Sequence, residues 1–203
     1  MRKFITLTAF AILLASLTYP QVKVGTGVKI GTGIKAGTGS ALSGSPFVTA
    51  QSLGTLRNNF TGCVGFGFTA QSGPVTVTAL GRWVVAGNSG SHTVYLIRDS
   101  PFTIVASAVV NTSGAPTGAY LYTAITPTVL PAGGESYALI SDETNAGDQW
   151  YDNDTTITTF STTVASTVNG GSGNTTVPPT TGNAFTNGAS PVTYGPVNLL
   201  FTP

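Results

Sequence analysis

Charge is the scarcest component of this chain. Asp, Glu, Lys and Arg make up 7% of its 203 residues, against about 25% in an average soluble protein. The formal net charge is +1, which gives no basic field for nucleic-acid binding. There is one His and one Cys. A zinc site of the usual His/Cys kind cannot be built from one of each. A Ser-His-Asp or Cys-His centre would have to use His92, and no G-x-S-x-G elbow surrounds any Ser. A P-loop is missing too, and the Gly-x-Gly repeats near the N-terminus lack the strand–turn–helix setting of a dinucleotide site. These absences point to a non-catalytic protein. The lone Cys63 excludes an intrachain disulfide. It is either a small buried hydrophobe or half of an intermolecular bridge. Long segments with a 3.6-residue apolar stripe are also lacking.

Hydrophobic residues, by contrast, reach 41%, so the composition is not that of a disordered chain. Thr, Ser, Gly and Asn take the place of charge, and β-branched polar residues suit pleated sheets. The first 18 residues have the form of a secretory signal, with Arg2-Lys3 followed by an apolar run from Phe4 to Leu17. That run is shorter than the ~20 residues a membrane helix needs, and no second apolar run follows. The expectation is a secreted, extracellular or cell-surface protein without a membrane span.

Residues 19–45 form a basic arm. Positions 22–39 read VKVGTG VKIGTG IKAGTG, a hexad in three copies. Six is even, so in an extended chain Lys23, Lys29 and Lys35 share one face. A flexible linker is one reading. The regular Val22, Val24, Val28, Ile30 and Ile34 favour the other, a strand that adds to a sheet edge. From Ser40 onward the chain has three Arg against all seven acids, a balance of −4. A basic arm thus precedes an acidic body.

Residues 46–203 read as one all-β domain. Strand-like runs alternate with turn clusters: 64–69, 74–85, 92–98, 104–110, 119–125, 136–141, 155–168 and 192–201. Val75, Val77 and Ala79 fall on one face of the second run. Two packed antiparallel sheets, a jelly-roll-like or immunoglobulin-like β-sandwich, are the expected solution. His92 follows a turn at 86–90 and is expected to make a structural hydrogen bond at a strand start.

One run concentrates the acids. Residues 142–154 read DETNAGDQWYDND and contain Asp142, Glu143, Asp148, Asp152 and Asp154. Three readings stand: a solvated acidic loop, a Ca²⁺ site built from these five carboxylates, or a sugar platform of Asp148, Trp150 and Tyr151. Paired carboxylates also suit glycoside hydrolysis, but nothing else in the chain supports a deep cleft.

The stretches RNNFTGCVGFGFTA (57–70), VTVTALGRWVVAGNSGSHTVYLI (75–97), TVLPAGGESYALISDETNAGDQWYDNDTTITT (128–159) and YGPVNLLF (194–201) resemble an uncharacterised bacterial extracellular β-sandwich accessory module. That module occurs in secreted multidomain proteins, often beside fibronectin type III or carbohydrate-active domains. The likeness spans about residues 50–202. It implies a jelly-roll-like fold and an accessory, binding or structural role, with no catalytic residues. The chain departs from the pattern at Cys63, where the module favours Trp, and at Ala146, where it favours Gly. The arm lies outside the likeness.

Two functions follow as expectations. The first is an extracellular structural subunit that self-associates, as a homo-oligomer or filament, by donating the arm residues Val22, Lys23, Val24, Val28, Lys29, Ile30, Ile34 and Lys35 to a neighbour. The second is a carbohydrate-binding module that takes a polysaccharide, with Ca²⁺ as its one candidate cofactor.

Overall fold

The computed structural model describes residues 42–70, 73–160, 177–180 and 192–203. The leader and the arm lie outside the described residues, as do 161–168 of one expected strand and most of the expected loop 169–190. The compact body runs from Thr38 to Pro203.

Among the described residues there are thirteen strands and no helix. Eight build two four-stranded antiparallel sheets: β1 (Ser45–Pro46), β4 (Gly62–Ala70), β5 (Val75–Trp83), β6 (Ser91–Arg98), β7 (Thr103–Asn111), β8 (Tyr120–Leu130), β9 (Glu135–Glu143) and β13 (Val197–Thr202). The first sheet has the order β1-β13-β5-β8 and the second β4-β9-β6-β7. Their pairings are nested: β1 with β13, β4 with β9, β5 with β8, β6 with β7. Eight strands nested in pairs and rolled into two facing sheets make a jelly roll. The expected all-β sandwich is therefore the fold observed.

The core lies between the sheets. Val77, Leu80, Leu199 and Phe201 come from the first, and Phe66, Phe68, Val94, Leu96 and Leu139 from the second. Phe47, just after β1, inserts between them, with its ring 5.1 Å from Phe68 and 5.9 Å from Phe66. Val75 and Val77 point inward, as the alternation predicts, but an irregularity at Thr78 shifts the face, so that Leu80 enters the core where Ala79 was expected. In β6 both faces are buried, because Tyr95 and Ile97 pack with Cys63, Ala138 and Ile140 on the outer face of the second sheet.

Five short strands complete the described residues: β2 (Val48–Ser52), β3 (Leu56–Arg57) and β10 (Trp150–Tyr151), which no expected run covers, and β11 (Thr155–Thr159) and β12 (Val192–Thr193), which begin the runs expected at 155–168 and 192–201. They form a three-stranded sheet, β12-β11-β2, and a ribbon, β10-β3. The run 192–201, expected as one strand, is broken at Tyr194-Gly195-Pro196, since Pro has no N–H to give to a ladder. Buried Asn198 joins β2 to β13. Its Oδ1 accepts from Val48 N (2.8 Å), and its Nδ2 donates to Val48 O (2.9 Å) and to the Tyr122 hydroxyl (2.8 Å).

Candidate functional site

Three features of the body are candidates for function: a buried polar clamp, a small cavity at Trp150, and an open pair of sheet edges.

The clamp closes one end of the sandwich. Arg82 on β5 and Glu143 on β9 belong to opposite sheets, and both side chains are fully buried. The guanidinium holds the carboxylate in two places, Nη2 to Oε2 at 2.8 Å and Nε to Oε1 at 3.2 Å. Arg82 also donates to the Trp83 carbonyl at 3.1 Å. Burial pushes the Glu143 carboxyl up, and the neighbouring Arg82 and His92 pull against that. Above this pair, the turn after β5 is fixed to the segment after β9. Asn88 donates to the Gln149 carbonyl and accepts from Gln149 N, both at 3.0 Å. Asp148 accepts from Ser89 N and Gly90 N at 2.9 Å and from the Thr112 hydroxyl at 2.7 Å.

His92 Nε2 lies 3.1 Å from Asp148 Oδ2, and Nδ1 lies 2.7 Å from the Asp142 carbonyl. Both ring nitrogens thus face oxygen atoms, one of β9 and one of the segment after it. Partial burial pushes the Asp148 carboxyl up, but the hydrogen bonds from Ser89, Thr112, Gly90 and His92 outweigh it and hold the group at about 2. His92 is committed to holding a turn, the structural role expected for it.

The acidic run is not one site. Glu143 faces Arg82, and Asp148 faces the turn after β5. Asp142 Oδ1 accepts from Thr93 N at 2.6 Å. Asp152 pairs with Arg57 at 2.5 Å. Asp154 accepts from Thr55 N and its hydroxyl, both at 2.7 Å, and these bonds lower its carboxyl from the ordinary value. Among the described residues no group of three or more His, Cys, Asp or Glu side chains could hold a metal ion. The five carboxylates read as one calcium site are not gathered in one place. The end of β9, a turn, β10 and a second turn carry the acids in different directions, and protein donors take their lone pairs.

The sugar platform also needs correction. Trp150 and Tyr151 are successive residues of β10 and point to opposite faces, while Asp148 belongs to the clamp. Trp150 is 3% exposed, so its face is not presented to solvent. It lines a cavity of about 80 Å³ with Arg57, Phe60, Val64, Asp152 and Tyr194. Its indole Nε1 is buried without a hydrogen-bond partner.

Cys63 is fully buried, and burial first, then the Asp142 and Glu143 charges, push its thiol up to about 12. An intermolecular disulfide there is corrected to a packed core residue, because neither access nor thiolate is on offer. Ala146, where the module it resembles favours Gly, has a φ of 62°. This is the left-handed region that glycine enters without strain.

The open edges lie on the side of the sandwich where β7 and β8 end the two sheets. Strand β4 also ends a sheet, but it is buried except at Gly67 and Thr69, which are half-buried. Strand β1 has two residues. Strand β8 carries Pro127 inside an irregularity where Ile125, Thr126 and Pro127 stand opposite Thr78, a device that blunts an edge. Strand β7 reads TIVASAVVN, without charge or proline. Ile104 and Val109 are exposed on it, and Val129 on β8. A groove of about 390 Å³ runs between the two strands, lined by Val105 to Ala108 and by Thr123 to Thr126 with Thr128.

These features define a jelly-roll sandwich with a polar clamp at one end and an edge strand, β7, that carries no charge or proline. No family model, curated protein or solved structure matches the chain. No helix among the described residues is long and apolar enough to cross a membrane.

Proposed function

We propose that this chain is a non-catalytic structural subunit of an extracellular matrix or cell surface, which assembles by donating its N-terminal arm to a neighbouring copy. The observation that carries this reading is strand β7. Native proteins protect free edges with charge, proline, bulges or cover; over Ala106–Asn111 this one has no charge, proline or bulge, and the Thr123 hydroxyl of β8 takes one of its carbonyls, Val109 O, at 2.9 Å. An edge left in that state offers main-chain hydrogen bonds to an added strand. The hexad arm supplies β-branched residues at alternate positions, and its three lysines oppose a body with a balance of −4. Deleting residues 19–40 is expected to convert large particles into monomers, read by light scattering and electron microscopy of the secreted material. Monomers both before and after the deletion would end the proposal.

A second reading, a carbohydrate-binding accessory module, is favoured by the Trp150 cavity and its unpartnered indole N–H. In this reading the cavity takes one substituent of a longer polysaccharide, and binding does not depend on calcium. A glycan array with the native chain and Trp150→Phe, with and without Ca²⁺, tests it. Equal binding by the two proteins, or none by either, removes the cavity from consideration.

A further inference from the structure

We infer that the groove between β7 and β8 is the acceptor site for the arm, and that its occupant is one hexad from residues 22–36 of another copy. The inference rests on the assembly reading above and adds where, which way up and in what register the arm is held.

The length of the regular edge comes first. The pairing of β7 with β6 shifts between Leu96 and Ile97, so that Val105 bulges out. What remains in unbroken register is Ala106–Asn111, a stretch of six residues or about 20 Å. The arm repeats every six residues. One hexad therefore matches the regular edge in length, and a slip of one whole hexad presents the same sequence type again.

Chemistry of the two faces comes second. Counting by twos along an extended arm puts Val22, Val24, Thr26, Val28, Ile30, Thr32 and Ile34 on one face. Lys23, Lys29 and Lys35 fall on the other, separated only by glycines. The inner side of the groove is lined by small residues, Ala106, Ala108 and Ala124, beside Val105 and Ile125. Alanines opposite Val and Ile leave room that the larger side chains fill. The lysines then face away from the groove into water, where a charged edge is tolerated and prevents a further strand from adding.

Position in the sheet comes third. The arm joins the body at β1, one edge of the first sheet, while β8 is the opposite edge of that sheet. Donor and acceptor at opposite edges make a head-to-tail contact, which continues from copy to copy instead of closing as a symmetric dimer does.

Cysteine cross-linking tests this directly, because the natural Cys63 is buried with its thiol pushed up to about 12 and stays silent. A chain carrying Ile30→Cys is mixed with a chain carrying Ala106→Cys and mildly oxidised. A disulfide-linked mixed dimer is expected. Val24→Cys, one hexad away, should cross-link as well, and Lys29→Cys, on the other face, should not. Equal cross-linking by Lys29→Cys overturns the face assignment. Cross-linking to Thr69→Cys on β4 in preference to Ala106→Cys overturns the groove but leaves assembly standing. A chain carrying both Ile30→Cys and Ala106→Cys that closes on itself as a monomer makes the occupant its own arm, and overturns the neighbour. If the unmodified chain forms no particle larger than a monomer, the assembly reading itself fails. Should Ala106→Cys misfold, Ser107→Cys, exposed on the opposite face of the same strand, replaces it, with the outcomes expected of Ile30→Cys and Lys29→Cys exchanged.

Discussion

Asp148 is the most heavily bonded carboxylate of the body, and acid should find it. Its folded-state value is about 2, against an ordinary 3.8. A carboxyl held that far down contributes roughly 2 kcal/mol of stability when it is ionised in both states. The side chain is 9% exposed, so little of this is lost to screening. The contribution is complete above the unfolded value, near pH 4 and upward. It disappears as pH falls through the folded value, near pH 2, because both states then carry the proton. Asp148→Asn removes the charge. It also turns an NH₂ group toward donors at Ser89, Gly90, Thr112 and His92, so one or more of them loses its acceptor. Urea unfolding of the native chain and of Asp148→Asn at constant ionic strength, at pH 6, 4, 3 and 2, isolates this group from other titrating acids. The native protein should be more stable by roughly 2–4 kcal/mol at pH 6, and the gap should narrow by roughly 2 kcal/mol by pH 2. Two curves that stay parallel down to pH 2 would show that Asp148 is not held as the geometry requires.

Arg82→Met should cost about 3–5 kcal/mol by leaving Glu143 buried and unpaired. Because burial already pushes that carboxyl up, the deficit should shrink as pH falls and Glu143 takes a proton. Adding Glu143→Leu should recover most of the loss in denaturant titrations at pH 7. Asn198→Ala strips both backbone groups of Val48 of their partners and should cost about 2–4 kcal/mol, seen as a Tm lower by roughly 5–15 °C in calorimetry. Ala146→Gly relieves a left-handed backbone and should raise stability by about 0.5 kcal/mol after the entropy of glycine is set against it. Ala146→Val, β-branched at the same φ, should lower it, and a gain from Val would contradict the strain.

Much of the fold could be read directly from the chain, because seven of the eight jelly-roll strands are long enough to show alternation or a β-branched run. Val75 and Val77 turned inward as their spacing required, while the irregularity at Thr78 put Leu80 in the place read for Ala79. Strand β6 hid its face, since Tyr95 and Ile97 are buried on the far side of the sheet and no polar residue marks an outside. Strands of two residues, such as β3 and β10, carry no period at all. The clamp was illegible for a different reason. Arg82 and Glu143 are 61 residues apart, and a buried ion pair leaves no local pattern. The acids of 142–154 were read as a unit because they are neighbours in sequence, yet two turns and two strands separate their directions in space. The positive φ at Ala146 is a property of the backbone that no side-chain pattern announces.

The nested pairing also sets an order of events. The innermost hairpin, β6 with β7, closes through a four-residue connection, Asp99 to Phe102. Joining β2 to β13 at Val48 and Asn198 closes 150 residues. From an open chain that outer closure costs about 3 kcal/mol more in loop entropy, so the roll is expected to zip from the inside outward. Strand β7, the acceptor edge of the proposal, belongs to the first hairpin, and the arm directly precedes the last pair in the sequence. Pulse-labelled hydrogen exchange should find amides of Thr93–Leu96 protected before those of Leu199 and Phe201. A growing assembly would then meet each newcomer with its receiving edge already set and its giving end still free.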